Sequence, residues 1–180
     1  MENKTLFTVT IFSENTAGLL SQVTSVFTRR QLNIETLSVS PSALEGIHKF
    51  TVTTFSTKEE IEKVVKQIDK KVDILKAYFN TDDELVHQEI ALYKLSTSEF
   101  LRIPSVEELI RKYNAQILDI TETYVVIQKT GHYAETQSLF KELSGQIGVL
   151  QFIRSGRVAI TKSKTERLSD MLQKLDKKQK

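Results

Sequence analysis

Residues 6–23 read LFTVTIFSENTAGLLSQV, and this stretch decides the fold. Its first half alternates apolar with mostly polar residues, the two-residue period of a half-buried β-strand. Residues 14–18 then form a turn-forming cluster. From Leu19 onward the apolar residues follow helical spacing. The stretch therefore predicts a strand, a tight turn and an amphipathic helix in direct succession.

The two halves of the chain follow the same order of predicted strands and helices, and each half begins with a strand and a helix. Each half of the chain reads as strand, helix, strand, strand, helix, strand, with an acidic, aperiodic segment near residues 80–84 between the halves. Two βαββαβ units predict an α+β protein of two ferredoxin-like domains. We place the first domain at 1–80, a linker at 81–87, the second domain at 88–161 and a basic tail at 162–180.

Each predicted sheet has both helices on one face, so its other face needs solvent or a partner. In the first domain that face carries Thr8, Thr10 and Phe12, which is too apolar for a plainly solvated surface. Sheet edges also invite pairing with another chain. We therefore expect at least a homodimer.

Composition excludes several classes of protein. The chain has no cysteine, so it has neither disulfides nor thiolate chemistry. No apolar run approaches the roughly 20 residues of a membrane span, and the polar N-terminus resembles no signal or transit peptide. We expect a cytoplasmic protein without a membrane contact. The three histidines lie far apart in sequence, at His48, His87 and His132, and predict no metal site.

The net charge of +2 is too small to indicate a nucleic-acid partner. Residues 161–180 contain seven Lys or Arg and three acidic residues, so the basic character belongs to the tail. Ferredoxin-like domains that bind RNA carry a basic-Gly-aromatic motif on their central strands. This sequence lacks that motif, although Phe50 and Phe55 are its nearest candidates. We therefore expect no nucleic acid as a partner.

The turn between the first strand and the first helix is the candidate site. The start of a helix offers free N–H groups and a positive dipole end, which suit a small carboxylate. Gly18 permits close approach of the backbone, and Asn15 offers both a donor and an acceptor. A free amino acid needs both. Asn33 starts the next strand, which we place at the same end of the sheet, where it would close the site.

The same residues also have a purely structural interpretation. Asn15 and Gly18 are common in turns and caps, and Asn33 could simply end the helix. From composition alone the structural interpretation is the favoured one, because such residues occur in turns of every kind.

Longer motifs point to a particular family. Residues 14–39 combine the glycine loop with Asn33-Ile34-Glu35, and later segments add Glu89-Ile90-Ala91-Leu92 and Arg154-Ser155-Gly156-Arg157-Val158. Taken together, residues 5–161 resemble the small, regulatory subunit of acetolactate synthase (acetohydroxyacid synthase), whose first domain is an ACT domain. The glycine loop alone would indicate only some amino-acid-binding ACT domain, whereas the second-domain motifs make the resemblance specific.

The resemblance implies a function without catalysis in this chain. The family's large subunit binds thiamine diphosphate, Mg²⁺ and FAD and joins two 2-keto acids, so this chain is expected to hold no cofactor. Its small subunit raises that activity and confers feedback inhibition by a branched-chain amino acid, usually valine, bound between the ACT domains of two protomers. The alternatives are an ACT-domain amino-acid sensor of another enzyme and, less favoured, a ferredoxin-like RNA-binding protein.

The effector contacts carried over by position comprise eight residues: Asn15, Thr16, Ala17, Gly18, Leu19, Leu20, Asn33 and Ile34. Ile34 would be an apolar contact for an aliphatic side chain. The chain departs from the family pattern at two positions. Gln31 stands where the family usually has glycine, and Gln88 stands where it usually has arginine.

Overall fold

A computed structural model describes residues 4–162 of the chain, and these divide into two compact units. The first unit contains the residues up to His87 together with those from Arg157 onward, and the second contains residues 88–156.

The first unit is a βαββαβ fold with both helices on one face of an antiparallel sheet. Its sheet has the strand order β2-β3-β1-β4. Apolar residues of the strands and of both helices form one core, which includes Val9, Val23, Phe27 and Ile61. The elements are β1 (Thr5–Glu14), α1 (Leu19–Arg29), β2 (Thr36–Pro41), β3 (Ile47–Ser56), α2 (Lys58–Asp69) and β4 (Ile74–Asn80).

The second unit has the same strand order, β6-β7-β5-β8, with its first helix broken in two. The break follows from Pro104, which cannot continue a helix begun before it. Its core is built around Tyr93, Leu95, Ile127 and Leu139. The elements are β5 (Leu85–Ser96), α3 (Thr97–Arg102), α4 (Ser105–Lys112), β6 (Gln116–Ile120), β7 (Tyr124–Gly131), α5 (Tyr133–Gln146) and β8 (Gln151–Arg154).

The α+β class and the two ferredoxin-like units are confirmed. Three details differ from the sequence prediction. β2 begins at Thr36, so Asn33 lies before the strand. Residues 81–87, predicted as a linker, contain a 3₁₀ helix at Asp82–Glu84 and the start of β5.

The third difference concerns the end of the second domain, which was predicted to extend to residue 161. Strand β9 (Val158–Thr161) belongs with Arg157 and Lys162 to the first unit, as do residues 85–87 at the start of β5, the strand with which β9 pairs. Apart from Lys162, the predicted basic tail lies outside the described residues.

Candidate functional site

The loop after β1 is held by backbone hydrogen bonds at both sides. The Glu14 amide donates to the Asp73 carbonyl at 3.0 Å, and the Asn15 amide donates to the Gly46 carbonyl at 2.9 Å. The loop then closes in a β-turn, because the Leu19 amide donates to the Thr16 carbonyl at 3.3 Å. Gly18, with φ 83° and ψ −8°, has the conformation of the third residue of a type II turn. The loop is thus a defined turn that needs glycine at this position.

The start of α1 is left open to a ligand. Among residues 4–162 no side chain caps the helix, and its first turn contains no acidic residue. The first bond in the helical pattern is from the Gln22 amide to the Gly18 carbonyl, so the amides of Leu20 and Ser21 precede it and have no carbonyl within the helix. Those amides and the helix dipole both favour an anion.

Space is available at this point as well. A Cβ atom built on Gly18 would meet no atom of the described part of the chain within 4 Å. Residues 14–18 are exposed, and the Leu20 side chain is 45% exposed. Leu19, by contrast, is buried in the core, so only its backbone can face a ligand. Among the predicted contacts, the Leu19 side chain therefore anchors the loop in the core and does not face a ligand.

The second group of predicted contacts follows the end of α1. The Leu32 amide donates to the Phe27 carbonyl and the Gln31 amide to the Thr28 carbonyl, which together form a Schellman motif. Gln31 has φ 55°, the left-handed conformation that glycine adopts most easily. The sequence departure at Gln31 therefore falls where a glycine is structurally favoured, and the helix still ends there.

Asn33 and Ile34 are fixed against β3. The Asn33 carbonyl accepts a 2.6 Å hydrogen bond from the Thr54 hydroxyl, and the Glu35 amide donates to the Thr53 carbonyl. Asn33 is exposed, and Ile34 packs at the edge of the core. The Asn33 amide side chain is accordingly available to a ligand, and its backbone is held in place.

The two groups lie at opposite ends of the sheet, so the prediction that they share an end is wrong. Glu14, which precedes the loop, pairs with Ile47, whereas Thr54, which binds Asn33, pairs with Phe7. Seven residues of β1 separate these positions, or about 23 Å. The physical reason is that β1 and β2 are both antiparallel to β3 and hence parallel to each other. Helix α1 returns the chain to the end where β1 began.

A polar cluster that sequence reasoning missed lies on the other face of the same sheet. The Arg157 guanidinium donates to the Thr8 hydroxyl at 2.8 Å and to both carboxylate oxygens of Asp82. Arg157 is only 9% exposed. Asp82 belongs to the acidic run interpreted as linker, and no local pattern links it to a residue 75 positions away.

The second unit contains a buried ion pair on the helix side of its sheet. Glu89 is 5% exposed and accepts hydrogen bonds from Arg154 at 3.0 and 3.1 Å and from the Thr136 hydroxyl at 2.6 Å. The Tyr93 hydroxyl donates to the Thr136 carbonyl at 2.8 Å. Burial first, and the nearby Glu89 second, raise the pKa of the Tyr93 hydroxyl far above its usual range. Tyr93 therefore stays protonated and keeps its role as a donor.

The hydrogen bonds among Glu89, Tyr93, Thr136 and Arg154 tie β5, β8 and α5 together. Gln88, the second departure from the family pattern, is exposed beside this network. Over residues 4–162, no three His, Asp or Glu side chains gather as they would around a metal ion. Within that range, no helix is long and apolar enough to cross a membrane.

Comparison with known proteins defines the class of each unit. Residues 9–76 match the family model described as "AHAS small subunit-like ACT domain", and residues 88–163 match "Small subunit of acetolactate synthase". The fold and the open loop of the first unit thus define an ACT domain followed by a second ferredoxin-like domain.

Relatives over the whole chain identify the family. The chain is 30% identical over 154 residues to the acetolactate synthase small subunit of Buchnera aphidicola from Schizaphis graminum, covering 86% of this chain and 97% of that protein. It is 28% identical over 167 residues to the Bacillus subtilis small subunit, covering 92% and 95%. The chain belongs to the acetolactate synthase small-subunit family.

A solved structure has the same fold over most of this chain. The small subunit of Thermotoga maritima acetolactate synthase matches with a TM-score of 0.79 at 23% identity, covering 89% of this chain and 99% of that one. As a regulatory small subunit, the chain has a catalytic large subunit as its implied partner. The matches to both units favour this family over an ACT-domain sensor of another enzyme or an RNA-binding protein.

Proposed function

We propose that this chain activates the large subunit of acetolactate synthase and makes it sensitive to feedback inhibition by a branched-chain amino acid, with valine as the expected effector. Catalysis resides in the large subunit, which binds thiamine diphosphate, Mg²⁺ and FAD, and this chain holds no cofactor. The complex works in the cytoplasm. The observation that supports effector binding is the uncapped start of α1 beside Gly18, with no acidic residue in its first turn.

Each part of an aliphatic amino acid has a partner among these residues. The carboxylate would accept hydrogen bonds from the amides after Gly18, where the helix dipole is favourable. The ammonium group would donate to the Asn15 side-chain carbonyl. Leu20 and Ile34 offer apolar contacts for a branched side chain, and Asn33 offers a further amide.

A complete site needs two protomers, because the loop and Asn33 lie at opposite ends of one sheet. β2 is an edge strand of that sheet, and Val39 on it is 39% exposed. Antiparallel pairing of two β2 edges about a two-fold axis would turn Asn33 of one protomer toward the end of the sheet that carries the partner's loop. We therefore propose a homodimer formed through β2, with the effector between the protomers.

The direct test combines the purified chain with the large subunit of its own organism. Acetolactate formation is measured for each subunit alone and for the mixture, with and without valine, leucine and isoleucine. We expect no turnover of pyruvate by this chain alone, a higher rate in the mixture, and inhibition by valine. Turnover by the chain alone, or a mixture that none of the three amino acids inhibits, would contradict the proposal.

A further inference from the structure

The segment of residues 157–162, here called the Arg157 strap, is built into the ACT unit although it follows the second unit in sequence. Besides the contacts of Arg157, the Lys49 ammonium donates to the Ala159 carbonyl at 2.8 Å. The Lys162 amide donates to the Glu84 carbonyl at 2.9 Å. Ala159 is 7% exposed. The strap is therefore held along its whole length.

Arg157 contacts one member, Thr8, of a row of polar side chains that crosses the first sheet. Strand register places Asn80, Thr8, Thr53 and Thr36 side by side on β4, β1, β3 and β2. Side chains at paired positions of neighbouring strands share one face of the sheet. Thr8 and Thr53 are fully buried, at 0% and 2% exposed. The row thus leads from Thr8 to the edge strand β2.

Hydrogen bonds hold this row at two places. On β1 Arg157 donates to the Thr8 hydroxyl. At the β2 end the Thr53 and Thr36 hydroxyls are 2.7 Å apart, and the Thr53 carbonyl accepts from the Glu35 amide at 2.8 Å. Glu35 directly follows Asn33 and Ile34, the half of the candidate effector site that lies before β2.

We propose that Arg157 is a positioning residue of the effector response, which acts through the threonine row on the conformation of residues 33–36. The inference rests on the proposed effector function and deepens it. The chain passes from the second unit back into the first at Gly156 and Arg157. A shift of residues 33–36 on effector binding therefore displaces Arg157, which lies where the chain leaves the second unit. Displacement of the Arg157 strap in turn makes residues 33–36 more mobile.

Chemistry explains why arginine suits this role. A buried guanidinium must keep its ion pair and hydrogen bonds, because an unpaired buried charge is costly. Its planar guanidinium binds the two Asp82 oxygens and also donates to Thr8, so one side chain holds both residues. A lysine ammonium offers a single point of attachment, so Arg157→Lys should only partly replace it.

The first test needs no effector. Hydrogen exchange is measured on the ligand-free full-length chain at the Glu35 amide and its neighbours. Arg157→Met should speed this exchange by about tenfold, the effect of one net hydrogen bond, and Arg157→Lys should restore part of the protection. Thr53→Val removes one hydroxyl from the row with little change of shape and should act in the same direction, which keeps the test valid if Arg157→Met folds poorly.

The matched control is Thr51→Val. Thr51 lies on the same strand, is 5% exposed, and pairs with Thr10 and Ser38 in the neighbouring row. It should leave exchange at Glu35 within about twofold of wild type, since it removes no hydrogen bond of the row. Unchanged exchange at Glu35 in both Arg157→Met and Thr53→Val would overturn the proposal, as would an equal effect of Thr51→Val.

The second test uses the complex with the large subunit and the valine concentration that gives half-inhibition. Thr53→Val should raise that concentration about tenfold, and Thr51→Val should not. If exchange responds as expected but the wild-type complex ignores all three branched-chain amino acids, the proposed function fails, while the effect of Arg157 on the conformation of residues 33–36 stands. If valine inhibits the Thr53→Val complex as it does wild type, the positioning role is wrong and the proposed function stands.

Discussion

Gly18 lies where the turn, the helix start and the proposed carboxylate site coincide. Gly18→Asp would place a negative charge in the position meant for an anion. Two like charges about 4 Å apart repel by about 4 kcal/mol at an effective dielectric of 20, or roughly a thousandfold in affinity. We expect the variant to lose inhibition by valine, as measured by the inhibition curve of the complex. Asn15→Ala should have a milder effect, since it only removes hydrogen bonds.

The backbone of Gly18 adds a separate cost to stability. At φ 83° a residue with a Cβ is strained by about 1–2 kcal/mol, although Asp tolerates this region better than most residues. Gly148→Asp is the matched control, because Gly148 has φ 74° and equally open surroundings in the second unit. Similar melting temperatures with lost inhibition only in Gly18→Asp would support the site. Normal inhibition in Gly18→Asp would show that Gly18 is only a turn residue.

Gln31 offers a prediction on stability alone. Its left-handed conformation at the end of α1 costs a non-glycine residue about 1–2 kcal/mol, while glycine loses more entropy on folding. Gln31→Gly should therefore raise the free energy of unfolding by about 0.5–1 kcal/mol in urea titration. Asn114 occupies the same position after α4, with φ 49°. Because asparagine accepts this conformation more readily, Asn114→Gly should give a smaller gain, and the opposite order would contradict the explanation.

At the scale of the element, β2 decides whether two chains can build one site. Val39→Asp adds a charge to the exposed edge strand, where a two-fold contact would bring it close to its symmetry mate. We expect a dissociation constant for the dimer that is at least tenfold higher than that of the wild type. Two like charges brought close together across the interface repel by more than about 1.4 kcal/mol. Sedimentation would show the change, and weaker valine inhibition should accompany it.

Val72→Asp provides the control for that experiment. Val72 is 83% exposed and lies before β4, away from the β2 edge. The substitution adds the same charge at the surface and should leave both association and inhibition unchanged. A dimer that survives Val39→Asp intact would place the interface elsewhere on the chain.

At the scale of the whole molecule, the ACT unit is discontinuous in sequence. A fragment of residues 1–80 lacks Asp82 and the Arg157 strap, and so loses the contacts that hold Thr8 on the second face of the sheet. We expect it to melt at a lower temperature than a fragment in which residues 1–87 are joined to 157–162 by a short Gly-Ser linker. A fragment of residues 1–87 alone should resemble 1–80, since it still lacks Arg157. Equal melting temperatures for all three fragments would contradict this division of the chain.

The sequence alone was enough for most of the fold. The period of Phe7, Val9 and Ile11 and the helical spacing after Leu19 are local signals, because a side chain's exposure follows directly from the geometry of its own strand or helix. The same holds for Gly18, since a type II turn requires a positive φ at one defined position. Local patterns repeated in both halves therefore predicted two βαββαβ units and the candidate loop.

Only the tertiary structure decided which distant residues meet. Strand direction separates Asn33 from the Gly18 loop, because helix α1 returns the chain to the end of the sheet where β1 began. No local sequence pattern predicts that end. Likewise Arg157 joins Asp82 and Thr8 across 75 and 149 positions, and a charged residue in sequence looks the same whether it is solvated or buried. The physical reason is that pairing partners are set by the packing of the whole sheet, which the sequence of any one segment does not contain.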